Sequence, residues 1–227
     1  MSLLVSPLHR FAQHTLVLKG LLLCALALGG IDVWLSLDEL AYIHTLNTQH
    51  SLWPAHDQLM ALYAYQGRHN VYTAVSMGMS LIIGVAVLGW LYRAKTLCLR
   101  LGARDTRYTP AASVFCYFIP VLGLWRPYQA MQELYRCCFA PHHWRQAPSS
   151  WWVPLWWVLF LSPLISLALY WPYVSPLWLA PATTSLATMV WANQLALTFS
   201  ADGLLCTGVL YGLIHAMSKA LCGQRDA

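Results

Sequence analysis

Four uninterrupted apolar runs, roughly Leu16 to Leu37, Val71 to Tyr92, Trp151 to Trp171 and Gly203 to Leu221, constrain this chain more than any other feature. Each has the length of about 20 residues that a helix needs to cross a hydrocarbon core. A strand barrel would instead show segments of about 10 residues with alternating polarity. These runs are continuous and rich in Leu, Ala, Gly and Ile, so spanning helices are predicted. The composition agrees: 59% apolar residues, 9% charged residues and a positive mean hydropathy do not make an ordinary soluble surface. Four crossings use most of the 227 residues, and a single membrane domain over 1–227 is expected.

Charge sets the expected orientation, because Lys and Arg in short loops are retained on the cytoplasmic side. Of the 13 cations, all but Arg68 lie between the second and third runs or toward the two termini, Lys19 and Lys219 falling at the terminus-proximal ends of the first and last runs. Both termini are therefore expected in the cytoplasm, with the loops Asp38 to Asn70 and Pro172 to Asp202 outside. Neither outer loop contains any of the seven cysteines, so a disulfide framework is not expected. The basic start and the Ala25-Leu26-Ala27 triplet resemble a cleavable signal peptide. Apolar sequence continues beyond it through Ile31, Val33, Trp34 and Leu37, and the expected element is an uncleaved first span.

The segment Tyr108 to Trp125 is apolar but contains Pro110 and Pro120. Reading it as a fifth span would move Arg126, Arg136 and Arg145 outside, against the charge rule. A half-inserted or interface-lying segment, shielded by the spans, is the expectation. Pro127 then suits the first turn of a helix, in which Tyr128, Met131, Leu134, Tyr135 and Cys138 form one face and Gln129, Gln132, Glu133 and Arg136 the other. That pattern describes an interfacial helix on lipid, or a groove-binding helix on a protein partner. Nearby Trp125, Trp144, Trp151 and Trp152 favour the lipid surface.

On the outer side, Ser36 and Glu39 have capping-box spacing and predict the start of a short helix. Thr183 to Ser200 reads either as a tilted surface helix or as the outer part of a long last helix. The order span, outer helix, span thus occurs twice, without a residue-level repeat.

The run WLYRAKTLCLRLGARDTRYTP, followed by FIPVLGLWRPYQAMQELYR and SSWWVPLWW, resembles the bacterial membrane family of domain of unknown function 4328, over about residues 90–157. The matching positions are Arg93, Ala94, Leu101, Gly102, Ala103, Pro110, Phe118, Pro120, Leu124, Trp125, Pro127, Tyr128, Met131 and Glu133. Leu97 stands where the pattern has an Asn. The resemblance implies a multi-span bacterial membrane protein and no established activity.

Chemistry-bearing residues are sparse. Cys137, Cys138, His142 and His143 are zinc or copper ligand types, but adjacent cysteines point about 100° apart on a helix, and no metal is expected. His14, His44 and His215 lie in or beside spans without a visible pairing for haem, so no cofactor is expected. Asp32 reaches either Arg68 or the headgroup region. Gly208, Gly212 and Ala216 make a small-residue ridge, read first as packing inside the bundle and second as a homo-oligomer face. The cations from Arg93 to Arg107 serve topology. A nucleic-acid partner would want aromatic interleaving or a folded reader, and none is visible.

The expected protein is all-α and polytopic, with four transmembrane helices, a half-inserted proline segment and a cytoplasmic interfacial helix in the bacterial inner membrane. It is expected to be noncatalytic and to bind membrane lipids or a membrane-protein partner through Arg93, Gly102, Pro110, Pro120, Trp125, Arg126, Pro127, Tyr128, Gln129, Glu133 and Arg136. A small transporter or channel-like component is the alternative, prompted by the broken segment.

Overall fold

The computed structural model describes residues 2–48, 55–119, 121–179 and 186–223, and all of its described regular elements are helical. These are α1 (Ser2–Thr48), α2 (Ala55–Arg100), α3 (Pro110–Phe115), α4 (Arg126–Phe139), α5 (Trp152–Leu179) and α6 (Leu186–Gly223), with a 3-10 turn at Leu122–Leu124. Four helices contain stretches long and apolar enough to cross a membrane: Leu8–Thr45, Val71–Arg100, Trp152–Ser175 and Val190–Gly223. The chain is a multi-pass membrane protein. Pro120, and residues 49–54 and 180–185 of the expected outer loops, lie outside the described residues.

The apolar runs are embedded in longer helices than expected. At 1.5 Å per residue, α1 and α2 each extend about 70 Å, because the residues flanking the runs are helix-compatible, and the one proline in these two helices, Pro7, lies near the start of α1. The expected helix start at Ser36 is therefore corrected: Ser36 lies inside α1, where no free amide is available to cap, and its buried Oγ has no hydrogen-bond partner. From Leu186 onward, the stretch Thr183 to Ser200 belongs to the long α6, the second of its two expected readings. The six-residue α3, about 9 Å long, cannot cross a hydrocarbon core by itself.

The chain forms two compact units, and each of the four long helices contributes a segment to both. Unit 1 comprises Met1–Cys24, Leu81–Val158 and Cys206–Ala227. Within it, Thr15 Oγ1 donates to the Phe11 carbonyl at 2.9 Å and accepts from Trp90 Nε1 at 3.0 Å. This uses the hydroxyl twice and fastens α2 to α1, with the Phe11 and Trp90 rings 5.8 Å apart. The buried side of α6 here is Leu210, Leu213, Ile214, Met217 and Leu221. Along the ridge Gly208, Gly212 and Ala216, Gly212 is exposed, with nothing within 4 Å of a Cβ placed there, and Gly208 and Ala216 are half-buried. The larger apolar side chains one or two positions away, Leu213, Ile214 and Met217, are fully buried.

Unit 2 comprises Ala25–Ser80 and Leu159–Leu205. In it, Asp32 accepts a hydrogen bond from Ser200 Oγ, and Tyr72 donates its hydroxyl to the Leu28 carbonyl. The side chain of Arg68, the other partner considered for Asp32, lies outside the described residues. Gly29 lets α6 come close, since a Cβ there would sit 3.2 Å from Leu204 Cδ1. Pro163 in α5 removes an amide that would have bonded the Leu159 carbonyl, and Ser162 Oγ donates to that carbonyl at 2.7 Å. A side-chain hydroxyl thus repairs the backbone of an apolar helix interrupted by proline.

The Leu-Gly-Ala turn ends α2. Gly102 adopts φ 101°, its amide bonds the Leu99 carbonyl at 3.2 Å, and the Ala103 amide reaches back to Cys98 at 3.1 Å. This is the paired hydrogen-bond pattern of a Schellman cap with glycine at C′. A Cβ on Gly102 would also lie 2.4 Å from His142 Cε1. Gly102→Ala is expected to cost about 1–2 kcal/mol from backbone conformation alone and more from displacing His142. Gly20→Ala, in a helix interior with open space, should be neutral or stabilising by up to about 1 kcal/mol. Unfolding curves in mixed micelles check both, and equal stability of the Gly102→Ala and wild-type proteins would refute the account of the cap.

Candidate functional site

Unit 1 is organised around a carboxylate. Glu133, on the second turn of α4, is buried and ion-paired with Lys95, which is completely buried near the end of α2. The Arg107 amide also donates to Glu133 Oε2 at 2.9 Å, and the Tyr108 amide donates to Oε1 at 3.3 Å. One side chain thereby supplies the partners for a buried ammonium and for two amides of the strandless link between α2 and α3. Desolvating two charges is costly unless such additional bonds satisfy them. Tyr108 continues the network, its hydroxyl donating to Gln129 Oε1 at 2.7 Å one turn before Glu133. Thr109 then caps α3 by accepting from the Ala112 amide at 3.1 Å, with Pro110 in the first turn.

Below this network α4 packs through Ala130, Met131, Leu134, Cys137 and Cys138, all buried. Only Arg126 and Phe139, at its two ends, are exposed. The expected polar face is thus corrected at Glu133: a charged residue in a helical pattern belongs inside when another element brings it a cation and unsatisfied amides. The cysteines are packing groups. Cys98 Sγ and Cys138 Sγ approach to 3.8 Å, and all seven cysteines are thiols. Burial pushes the Cys137 thiol up to about 12 and the Cys138 thiol well above its ordinary value, so neither is a ready nucleophile at neutral pH.

The apolar surface lies on the adjoining segment. Phe115, Phe118, Ile119, Val121, Leu124 and Trp125 are all exposed, Phe118 at 66% and Val121 at 65%, between α3 and α4. Trp151 and Trp152, at the start of α5, are exposed as well, with ring centroids 4.5 Å apart. Trp157 Nε1 anchors this segment by donating to the Leu124 carbonyl at 3.1 Å. Burial raises the Tyr117 phenol and the Cys116 thiol above their ordinary values, keeping both neutral beneath the exposed edge.

The residues singled out in the sequence thus fall into three places. Glu133 and Gln129 belong to the buried network, Pro127 is buried at the start of α4, and Tyr128 and Arg136 are half-buried. Trp125 and Arg126 stand at the exposed head of α4, whereas Pro110 and Gly102 shape turns. Arg93 is exposed on α2, away from that network, in a separate cleft. Sequence reasoning missed Lys95 as a buried partner and Thr109 as a cap. The Thr-Pro pair was a readable cap signal, whereas nothing local to Lys95 distinguishes it from its solvated neighbours. His142 stands over Gly102 and, with His143, lines a second cleft, while Cys137 and Cys138 are in the core. Among the described residues, no three of His, Cys, Asp and Glu gather as a metal site would need.

A family's sequence pattern matches residues 57–219, well over half of the chain. The protein belongs to that family, described as Domain of unknown function (DUF4328). The DUF4328 match takes in the whole Glu133 network and the exposed edge, and extends beyond the 90–157 resemblance into α6. It leaves α1 outside. Among curated proteins and among solved structures, nothing matches the chain.

Removing either member of a buried ion pair leaves the other charge uncompensated, a loss of about 3–5 kcal/mol. Lys95→Ala and Glu133→Ala are both expected to fall in that range. Glu133→Ala should be the worse because it also releases the Arg107 and Tyr108 amides. A Lys95→Met/Glu133→Met protein should remain less stable than wild type for the same reason. Denaturation in mixed micelles of wild type, the two alanine variants and a Lys95→Ala/Glu133→Ala protein gives the double-mutant cycle, and a zero coupling energy would contradict the pairing.

Proposed function

We propose that this protein is a noncatalytic component of the bacterial inner membrane that contacts lipid through the segment 117–136. The observation that carries the reading is the series of exposed apolar side chains from Phe115 to Trp125, flanked by Trp151 and Trp152, on a stretch too short to cross the membrane. Within that segment the two parts divide the labour. Residues 117–125 offer the apolar edge, and α4, largely covered by protein, holds the edge in position through the Glu133 network. Tryptophans at both ends suit the headgroup boundary.

The reading includes an orientation, with both termini in the cytoplasm. It is supported by the distribution of charge: among the described residues, every Lys and Arg except Arg68 belongs to unit 1. Thiol labelling from outside intact cells should reach a Ser175→Cys variant and leave an Arg104→Cys variant untouched, and the reverse would invert the topology.

A second reading, a small transporter component, draws on unit 2, where the buried Ser36 Oγ and Asn193 Oδ1 have no hydrogen-bond partner within long apolar helices. Polar groups at that depth mark solute pathways in many membrane proteins.

Benzoylphenylalanine in place of Phe118 separates these readings. In nanodiscs, illumination should attach phospholipid acyl chains to the protein, as read by intact mass. Crosslinks confined to protein would exclude the lipid-contact reading, and solute flux into liposomes carrying the purified protein would favour transport.

A further inference from the structure

A cleft of about 470 Å³ opens in unit 1 between the beginning of α1 and the end of α2. Arg10 and His14 enter it from α1, Arg93 and Arg100 from α2, and no carboxylate is among its lining residues. Among the described residues, no hydrogen bond or ion pair occupies any of the three guanidinium groups. The bottom of the cleft is apolar and fixed: Phe11 and Leu97 are 3% and 4% exposed, and the Thr15–Trp90 hydrogen bond holds the two helices together just below.

We propose that this cleft is an anion site for a phosphate group, occupied in the membrane by the headgroup of an anionic phospholipid. Three arginines converging on one concavity repel one another, and an anion removes that cost while supplying acceptors in the planar geometry that guanidinium donors match. Depth argues for a lipid phosphate. Arg10 and His14 stand just before the first apolar run and Arg93 just after the second, where headgroups meet the hydrocarbon core. The apolar floor suits the glycerol and upper acyl region of the same molecule. This surface is separate from the exposed edge at Phe118, so failure of one leaves the other standing. It draws on α1, which lies outside the family match, as well as on Arg93 and Arg100 within it.

Full-length protein in nanodiscs of equal phosphatidylglycerol and phosphatidylcholine, released for native mass spectrometry, tests the site. Phosphatidylglycerol should be retained preferentially. Each arginine removed should weaken retention about fivefold, so an Arg93→Gln/Arg100→Gln protein is expected to lose most of it. An Arg93→Lys/Arg100→Lys protein should keep part, and Arg145→Gln, outside the cleft, should be unchanged. Circular dichroism verifies folding of each variant, with Arg10→Gln as the replacement should the double variant not fold. Displacement of the lipid by added inorganic phosphate would assign the same chemistry to a free anion. Equal retention of the two lipids by wild type, or undiminished phosphatidylglycerol retention in a folded arginine variant, would overturn the proposal.

Discussion

One buried carboxylate is the constraint from which the rest of unit 1 follows. Glu133 meets the Lys95 ammonium and the amides of Arg107 and Tyr108. In doing so it fixes α4 against α2 and sets where the chain goes after the Gly102 turn. Neither charge has another described ion-pair partner that could hold it inside, and the apolar packing of Met131, Leu134 and Cys138 around them supplies a low-dielectric setting in which the pair gains strength and its loss becomes costly. The direction of Tyr108, the cap on α3 and the exposed run from Phe115 to Trp125 are downstream of that arrangement.

The polar bonds elsewhere share a logic. In helices of this hydrophobicity, van der Waals contact alone does not select one alignment from many. Thr15 between Phe11 and Trp90, Ser200 on Asp32, Tyr72 on Leu28 and Ser162 on Leu159 each tie a hydroxyl or indole to a defined acceptor. Such bonds contribute modestly one by one. Those between helices specify register, because sliding a helix by one turn would break the Trp90–Thr15, Ser200–Asp32 and Tyr72–Leu28 bonds, whereas the Ser162 bond mends α5 itself.

Much of this architecture was legible in the sequence, and the failures have physical causes. Four apolar runs required four membrane-length helices, Pro127 announced the first turn of α4, and the charge rule spoke against a span over 108–125, where the described α3 has six residues. The ends of the runs were read as the ends of helices, which underestimated α1 and α2, because the backbone stays helical through polar flanks when nothing interrupts it. Glu133 was misread because periodicity sorts residues by polarity and cannot see a cation thirty-eight positions earlier. The same limit hid the convergence of Arg10 with Arg93 and Arg100, residues that share no local motif and meet only through the pairing of α1 with α2. The small-residue ridge on α6 is visible as a pattern, but spacing does not tell how far each of its residues is covered: Gly212 is exposed and Gly208 and Ala216 are half-buried.

The position of Lys95 has a consequence for how the chain is made. It leaves the ribosome 38 residues ahead of Glu133, so for that interval it is a bare cation at the trailing end of α2, alongside Arg93 and Arg100. In the orientation proposed above, it counts during that period with the positive charge retained on the cytoplasmic side. Once Glu133 has been synthesised, the same ammonium is withdrawn from water and becomes part of the core. On the proposed orientation, then, one lysine is part of the cytoplasmic charge while the chain is incomplete and a buried tie between α2 and α4 once it is folded.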